Sequence, residues 1–342
     1  MGRKTAVNNH NTNELYEKVS NENKELVTEF LEYLNSTDKA ATTIISYTSD
    51  LKIFMVWNME SNNNKFFVDF TKRDIMKYQN YLMNKLNLSS NRVRRARSTV
   101  SSLSNFIESI LDDLYPDFRN IVNKIPAPIK QETREKTILS EEQIDSLLKQ
   151  LVDEKKYQLA CAVALGCACG ARKSELARFK VSYFKDEYII YGSLYKTPEK
   201  ITTKGRGRNG KQLFKYSLVN VIKPYLDLWL IERERLGVDS DDLFTVKYDG
   251  KWKTAKDSTL SSWAGTISTM INDDFYFHLL RHYWTTSMRK ANLPDKVIQE
   301  LCGWASTDLI NLYDDADIDD ELGKYFDEGG IKQVEQKGLS DL

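Results

Sequence analysis

The sequence predicts a mostly α-helical protein with a small antiparallel β-sheet, organised as two domains. Three observations predict it. Apolar residues recur at helical spacing from Glu22 to about Pro116 and again through most of the second half. Residues of high β propensity are confined to a stretch from Tyr188 to Val219, with turn chemistry at Gly205 to Gly210. Pro116 and then Lys124-Ile125-Pro126-Ala127-Pro128 interrupt the helical pattern between the two regions, because proline neither continues a helix nor favours one before it. A chain of 342 residues is long enough for two separate cores.

In order, residues 1–21 are polar and rich in asparagine, and read as a flexible arm or a short first helix. Residues 22–123 read as a bundle of four helices. Leu26, Phe30, Leu31 and Leu34 mark the first, and Thr43, Tyr47, Leu51, Phe54 and Trp57 the second. Ile75, Tyr78, Tyr81 and Leu82 mark the third; Val93, Thr99, Val100, Leu103, Phe106, Ile107 and Ile110 mark the fourth. Residues 124–137 read as a linker, 138–317 as the second domain and 318–342 as a C-terminal segment. The second domain opens on a helix capped by Ser140, followed by a helical stretch from Gln158 to about Phe179. Strands over Tyr188–Leu194, Glu199–Lys204 and Leu213–Val219 form the sheet, and helices dominate from Val221 onward.

A hydrophobic fraction of 41% and a charged fraction of 29% are those of an ordinary globular protein. No apolar run has the length of a bilayer span and the first residues lack a signal-peptide core, so the expected location is a reducing cytoplasm. The four cysteines show neither a disulfide framework nor zinc-ligand spacing, and Cys167 and Cys169 read as buried thiols. The formal net charge is zero, but the signs are segregated. Arg92, Arg94, Arg95 and Arg97 share one helix start, and seven cations from Lys196 to Lys215 face a single acid, Glu199. The compensating acids gather between Asp314 and Glu321. Separate basic patches of this kind suit a polyanionic partner.

Several residues carry chemistry in combination. His278 and Arg281, three apart on a helix, share a face and together suit a phosphate: one moves a proton, the other clamps charge. Arg172 follows a tight Gly170-Ala171 segment, with Glu175 one turn on; the simplest reading of that pair is a surface ion pair. Lys204 and Lys211 flank the proposed hairpin turn, which also carries Arg206 and Arg208. Trp304 follows Gly303 at the end of a helix, and Tyr313 closes Leu309-Ile310-Asn311-Leu312-Tyr313. Taken singly, each of these reads as a packing or surface residue.

In order, Arg172, a hairpin lysine, His278 with Arg281, Gly303-Trp304 and Tyr313 resemble the tyrosine recombinase (phage integrase) family. The spacing from Trp304 to Tyr313 matches the family's, and the resemblance runs over roughly residues 22–320, including the helical first domain, which is similar to the family's core-binding domain. The resemblance implies a mixed α/β catalytic domain after that helical domain, and a site-specific recombinase that integrates, excises or resolves DNA through a 3′-phosphotyrosyl intermediate. It implies Tyr313 as nucleophile and Arg172, Lys204, His278, Arg281 and Trp304 as its catalytic partners, supported by Glu175 and His282. Trp304 stands where the family more often has histidine, and the proton donor stays open between Lys204 and Lys211. Arg92, Arg94, Arg95 and Arg97, with Arg206, Arg208 and Lys211, are the expected DNA contacts. Double-stranded recombination sites are the expected partner, bound by four protomers on two sites, with no metal, no other cofactor and no membrane. The C-terminal segment is expected to dock on a neighbouring protomer. A type IB topoisomerase or telomere resolvase, and an inactive architectural DNA-binding protein, are the competing readings.

Overall fold

The computed structural model describes residues 12–130, 139–203, 210–304, 306, 307, 310, 326, 327, 330 and 331. The chain divides near residue 135 into two compact units.

The first unit is helical. The short α1 (Thr12–Tyr16) lies in the segment read as an arm or first helix, and α2 (Asn21–Ser36), α3 (Ala41–Ser61), α4 (Lys72–Asn80) and α5 (Ser90–Ile110) are the four expected helices. Leu26, Phe30, Leu51, Phe54, Trp57, Ile75, Tyr78, Val93, Val100, Leu103 and Ile107 meet in one core, as their helical spacing requires. Phe54 and Tyr78 pack edge to face at 4.8 Å. Ile110, expected in that core, is 47% exposed at the last turn of α5. Residues 122–128 pack back on α5: Arg97 donates to the carbonyls of Val122, Ile125 and Pro126, and Arg94 to that of Pro128.

The second unit is built around α7 (Tyr157–Cys169), whose residues from Ala160 to Cys169 are all buried. A helix apolar on every side must be covered on every side. α6 (Glu141–Asp153), α9 (Val219–Leu236) and α11 (His278–Lys290) do this. Gly166 makes the closest approach possible: a Cβ there would meet Leu280 Cδ1 at 2.5 Å. Ser140 caps α6, its Oγ accepting the Gln143 N–H at 3.2 Å while Gln143 Oε1 accepts the Ser140 N–H at 2.9 Å.

Four expectations need correction. The strand expected over Tyr188–Leu194 turns at residues 191–193, so that Ile190 pairs antiparallel with Leu194. The stretch read as one helix to Phe179 breaks at Gly170, which caps α7 with φ +55°, and resumes as the short α8 (Lys173–Leu176). The strand expected over Leu213–Val219 is two. In β1 (Ile189–Ile190), β2 (Leu194–Lys196) and β5 (Tyr216–Leu218) the order is β1-β2-β5, whereas β4 (Lys211–Leu213) pairs only with β3 (Ile201–Thr203). The chain changes partner at Phe214-Lys215, so neither strand continues through it. A hairpin of β6 (Thr245–Tyr248) and β7 (Lys251–Thr254) lies in a region read as helical. Its Asp249-Gly250 turn has positive φ at both residues, the two-residue turn that matches strand twist. α10 (Asp257–Ile271), α12 (Asp295–Cys302) and the two-residue strands β8 (Phe326–Asp327) and β9 (Gly330–Ile331) complete the described α-helices and strands. No helix among the described residues is long and apolar enough to cross a membrane.

Candidate active site

The Gly170 turn delivers Arg172 to the start of α8. Its backbone N–H donates to Glu175 Oε2 at 3.1 Å, and its Nη1 donates to Glu175 Oε1 at 2.9 Å. The expected surface ion pair is therefore half interior: the Arg172 side chain is 21% exposed and that of Glu175 is 0% exposed. Burial alone would raise the Glu175 carboxyl, but Lys215 and Arg172 outweigh it and hold the group below the usual carboxylate range.

Arg281, on α11, is fully buried. It donates from Nη1 to the Gly170 carbonyl oxygen at 2.8 Å and from Nη2 to the Cys302 carbonyl oxygen at 3.0 Å. Its guanidinium carbon lies 4.8 Å from the centre of the Trp304 ring. These carbonyls fix the guanidinium without neutralising its charge.

His278 begins α11 and sits one turn from Arg281. Burial, then the charges of Arg281, His282 and Arg172, push its imidazole down to about 4, against a small opposing pull from Glu175. A ring with that value is neutral at pH 7 and able to accept a proton. His282 packs edge-on against it, the ring centres 5.8 Å apart.

Trp304 is buried, with its backbone clamped by Gln299: the Trp304 N–H donates to the Gln299 carbonyl at 3.0 Å, and Gln299 Nε2 to the Trp304 carbonyl at 3.2 Å. Gly303, at φ +67°, has no room for a side chain, since a Cβ would lie 2.0 Å from Leu213 Cδ1 on β4. The base of the β3–β4 hairpin thus abuts the turn that holds Trp304. Ile310, three residues before Tyr313, is buried in one cluster with Trp304, Trp284, Ile298 and Cys302. Tyr313, Lys204, Arg206, Arg208 and the acids from Asp314 to Glu321 lie outside the described residues, and Lys211 is exposed on β4.

Sequence reasoning missed Lys215. Counted among the surface cations, it is 1% exposed, with Nζ 2.7 Å from Glu175 Oε2. The signal available was its place two residues before Ser217, the buried position of β5, since alternate residues of an extended chain face the same way. The arginines of α5 are also not one surface set. Arg97 is buried and its guanidinium is taken up by Gln79 and three carbonyls, so it faces inward and not onto the surface expected to meet DNA. Arg92 pairs with the buried Asp50, and Arg94 donates to Pro128. Arg94 and Arg95 are both exposed, the Arg95 side chain at 57% with Asp50 at 3.7 Å. All four cysteines are buried and free, and burial pushes the Cys169 thiol up to about 12.

The model of the phage integrase family matches residues 137–319, more than half of the chain. The chain belongs to the phage integrase family. It is a site-specific tyrosine recombinase, an enzyme that cleaves and rejoins DNA. The model of the integrase N-terminal SAM-like domain matches residues 26–117, in the helical unit. The chain is 32% identical over 250 residues to the SPbeta prophage-derived recombinase-like protein YomM of Bacillus subtilis, covering 72% of each chain. It is 22% identical to tyrosine recombinase XerS of Streptococcus pneumoniae, over 80% of this chain and 86% of that one. A lambda integrase dimer bound to a COC′ core site has the same fold, with TM-score 0.63, 19% identity, and coverage of 90% of this chain and 80% of that one. The Tn1549 transposon integrase in complex with a circular intermediate DNA matches with TM-score 0.63 and 15% identity, over 87% of this chain and 98% of that one.

Proposed function

We propose that this integrase cuts DNA by attack of the Tyr313 phenol on a scissile phosphodiester, forming a 3′-phosphotyrosyl ester and freeing a 5′ hydroxyl. Reversal of the same step by a partner strand's 5′ hydroxyl rejoins the DNA. The ester conserves the bond energy, so no nucleotide is consumed. Arg172 and Arg281 supply positive charge where the phosphate oxygens gain negative charge, and Trp304 shapes and caps the site. His278, neutral at pH 7, accepts the tyrosine proton. A hairpin lysine, Lys204 before Lys211, protonates the leaving 5′ oxygen. Glu175 orients Arg172, and His282 supports His278.

The observation that carries the reading is the reach of Arg281. One buried side chain on α11 holds the carbonyl two residues before Arg172 and the carbonyl two residues before Trp304, on the helix that begins with His278. Motifs far apart in sequence are thereby tied to one guanidinium. The partner is double-stranded DNA carrying recombination sites, gripped by residues 22–123 as a core-binding domain and by residues 138–317 as the catalytic domain. Four protomers on two sites, with the segment 318–342 reaching a neighbour, complete the proposed assembly. Solved relatives bound to DNA support the partner: one is the lambda integrase dimer on its core site, another a XerH complex with a palindromic difH substrate.

The test is Tyr313→Phe on a nicked trapping duplex carrying the protein's own site, recovered from DNA beside its gene. The variant is expected to bind and to form no covalent complex. A covalent adduct from the variant assigns the nucleophile elsewhere, and Tyr325 is the next to examine.

A further inference from the structure

Lys215 is the one lysine among the described residues that is buried. Its backbone is fixed where the chain passes from β4 to β5: its N–H donates to Thr197 Oγ1 and its carbonyl accepts the Thr197 N–H, both at 3.0 Å. Its ammonium lies 2.7 Å from Glu175 Oε2, the oxygen that also accepts the Arg172 backbone N–H. Two more buried side chains, Cys169 of α7 and Cys302 of α12, lie near enough to feel its charge, and neither carries one to match it.

Taking a lysine out of water is costly, and a buried ion pair rarely adds more stability than apolar residues of the same size would. Stability alone therefore does not account for Lys215. The charges around it do. Glu175 orients Arg172 but also cancels its charge, which is the charge an anionic phosphate needs. Lys215 answers Glu175 from the other side, so that the carboxylate stays ionised and fixed while the site regains a positive charge.

We propose that Lys215 is a positioning residue for DNA cleavage: through Glu175 it fixes the guanidinium of Arg172 and offsets the negative charge placed beside it. The proposal rests on the reading of Arg172 as a phosphate clamp. Its signature is in pH dependence. The groups facing Glu175 are Arg172 at the start of α8, Lys215 between β4 and β5, Cys169 on α7, His278 on α11, and Cys302 on α12. Without Lys215, burial acts on Glu175 with less opposition, and the carboxylate takes up its proton at higher pH.

Single-turnover cleavage of the nicked duplex described above is measured across pH for the full chain and for Lys215→Met, Lys215→Arg and Arg172→Ala. Lys215→Met is expected to bind DNA within about threefold of wild type and to cleave roughly 10- to 100-fold more slowly at pH 7, as loss of an orienting group commonly does. The acid limb of its cleavage profile is expected to move to higher pH. Lys215→Arg, which keeps the charge, is expected to restore both rate and limb, and it carries the test should the methionine variant not fold. A Lys215→Met protein with wild-type rate and limb overturns the proposal, as does a folded Lys215→Arg protein with the full defect. Rescue of Lys215→Met by DNA with a bridging 5′ sulfur makes Lys215 the proton donor and also overturns it. Normal cleavage by Arg172→Ala is a different failure, that of the clamp reading itself.

Discussion

Arg281 Nη1 donates to the carbonyl oxygen of Gly170 at 2.8 Å, joining a helix that begins at His278 to the turn that presents Arg172. Gly170 provides the carbonyl and the turn together. Its φ of +55° is left-handed, and its bare Cα faces the Trp284 ring, which a Cβ would meet at 2.7 Å.

Gly170→Ala should therefore damage the fold and the site at once. The left-handed backbone and the collision with Trp284 together predict a loss of about 2–4 kcal/mol. Denaturant unfolding measures it, and cleavage should fall more than the populated native fraction explains. A variant as stable and active as wild type would show that the turn relaxes freely.

His278 links the site to pH. Its folded value of about 4 lies below its ordinary 6.5, so as pH falls between these the unfolded chain gains a proton that the folded chain refuses. Stability should fall across that window and level off below it. Arg281, His282, Arg172 and Glu175 face the ring, so the subtraction of a His278→Gln variant isolates its part. Urea midpoints at pH 7.5 and 4.5 should differ less in the variant than in wild type. An identical difference would remove His278 from the buried neutral state argued above.

The α5 arginines should separate into structural and DNA-binding effects. Arg97→Ala removes a donor from each of three carbonyls and should cost roughly 2–4 kcal/mol of stability. Arg95→Ala should leave stability unchanged and reduce the salt slope of DNA binding by about one unit. Binding isotherms from low to moderate salt decide this, and an unchanged slope for Arg95→Ala would take α5 off the DNA.

The proton donor can be assigned by leaving-group chemistry. A thiolate departs without protonation, whereas an alkoxide needs a donor. Lys204→Ala should cleave ordinary DNA poorly and recover on DNA with a bridging 5′ sulfur, while Arg172→Ala stays inactive on both. Lys211→Ala should cleave both substrates normally; sulfur rescue of Lys211→Ala with an active Lys204→Ala reverses the two roles.

Cleavage should persist in excess EDTA without ATP, because guanidinium groups hold the phosphate charge and the tyrosyl ester stores the bond energy. Loss of cleavage in EDTA with recovery on adding magnesium would contradict the transesterification scheme.

Much of this was legible in the sequence because it is local. The spacing of Leu51, Phe54 and Trp57, or of Leu103, Phe106 and Ile107, selects a helix and one buried face whatever lies opposite. The Asp249-Gly250 hairpin was just as local; its turn chemistry lay inside a region read as helical throughout. The order of Arg172, His278, Arg281, Trp304 and Tyr313 pointed to the family before any geometry was known. Helical spacing alone put His278 and Arg281 on one face.

Tertiary structure decided what each charge is for. Arg97 and Arg95 stand two apart in one basic run, yet one is buried under the carbonyls of residues 122–126 and the other faces solvent. Lys211 opens β4 and Lys215 lies two residues past its end, yet only Lys215 turns inward, because β4 and β5 take different partners and Glu175 waits on another element. Periodicity reports how often a residue faces inward. Whether a cation there is tolerated depends on an acid or a carbonyl supplied from far along the chain, and only the folded molecule brings the two within 3 Å, as Lys215 and Glu175 are.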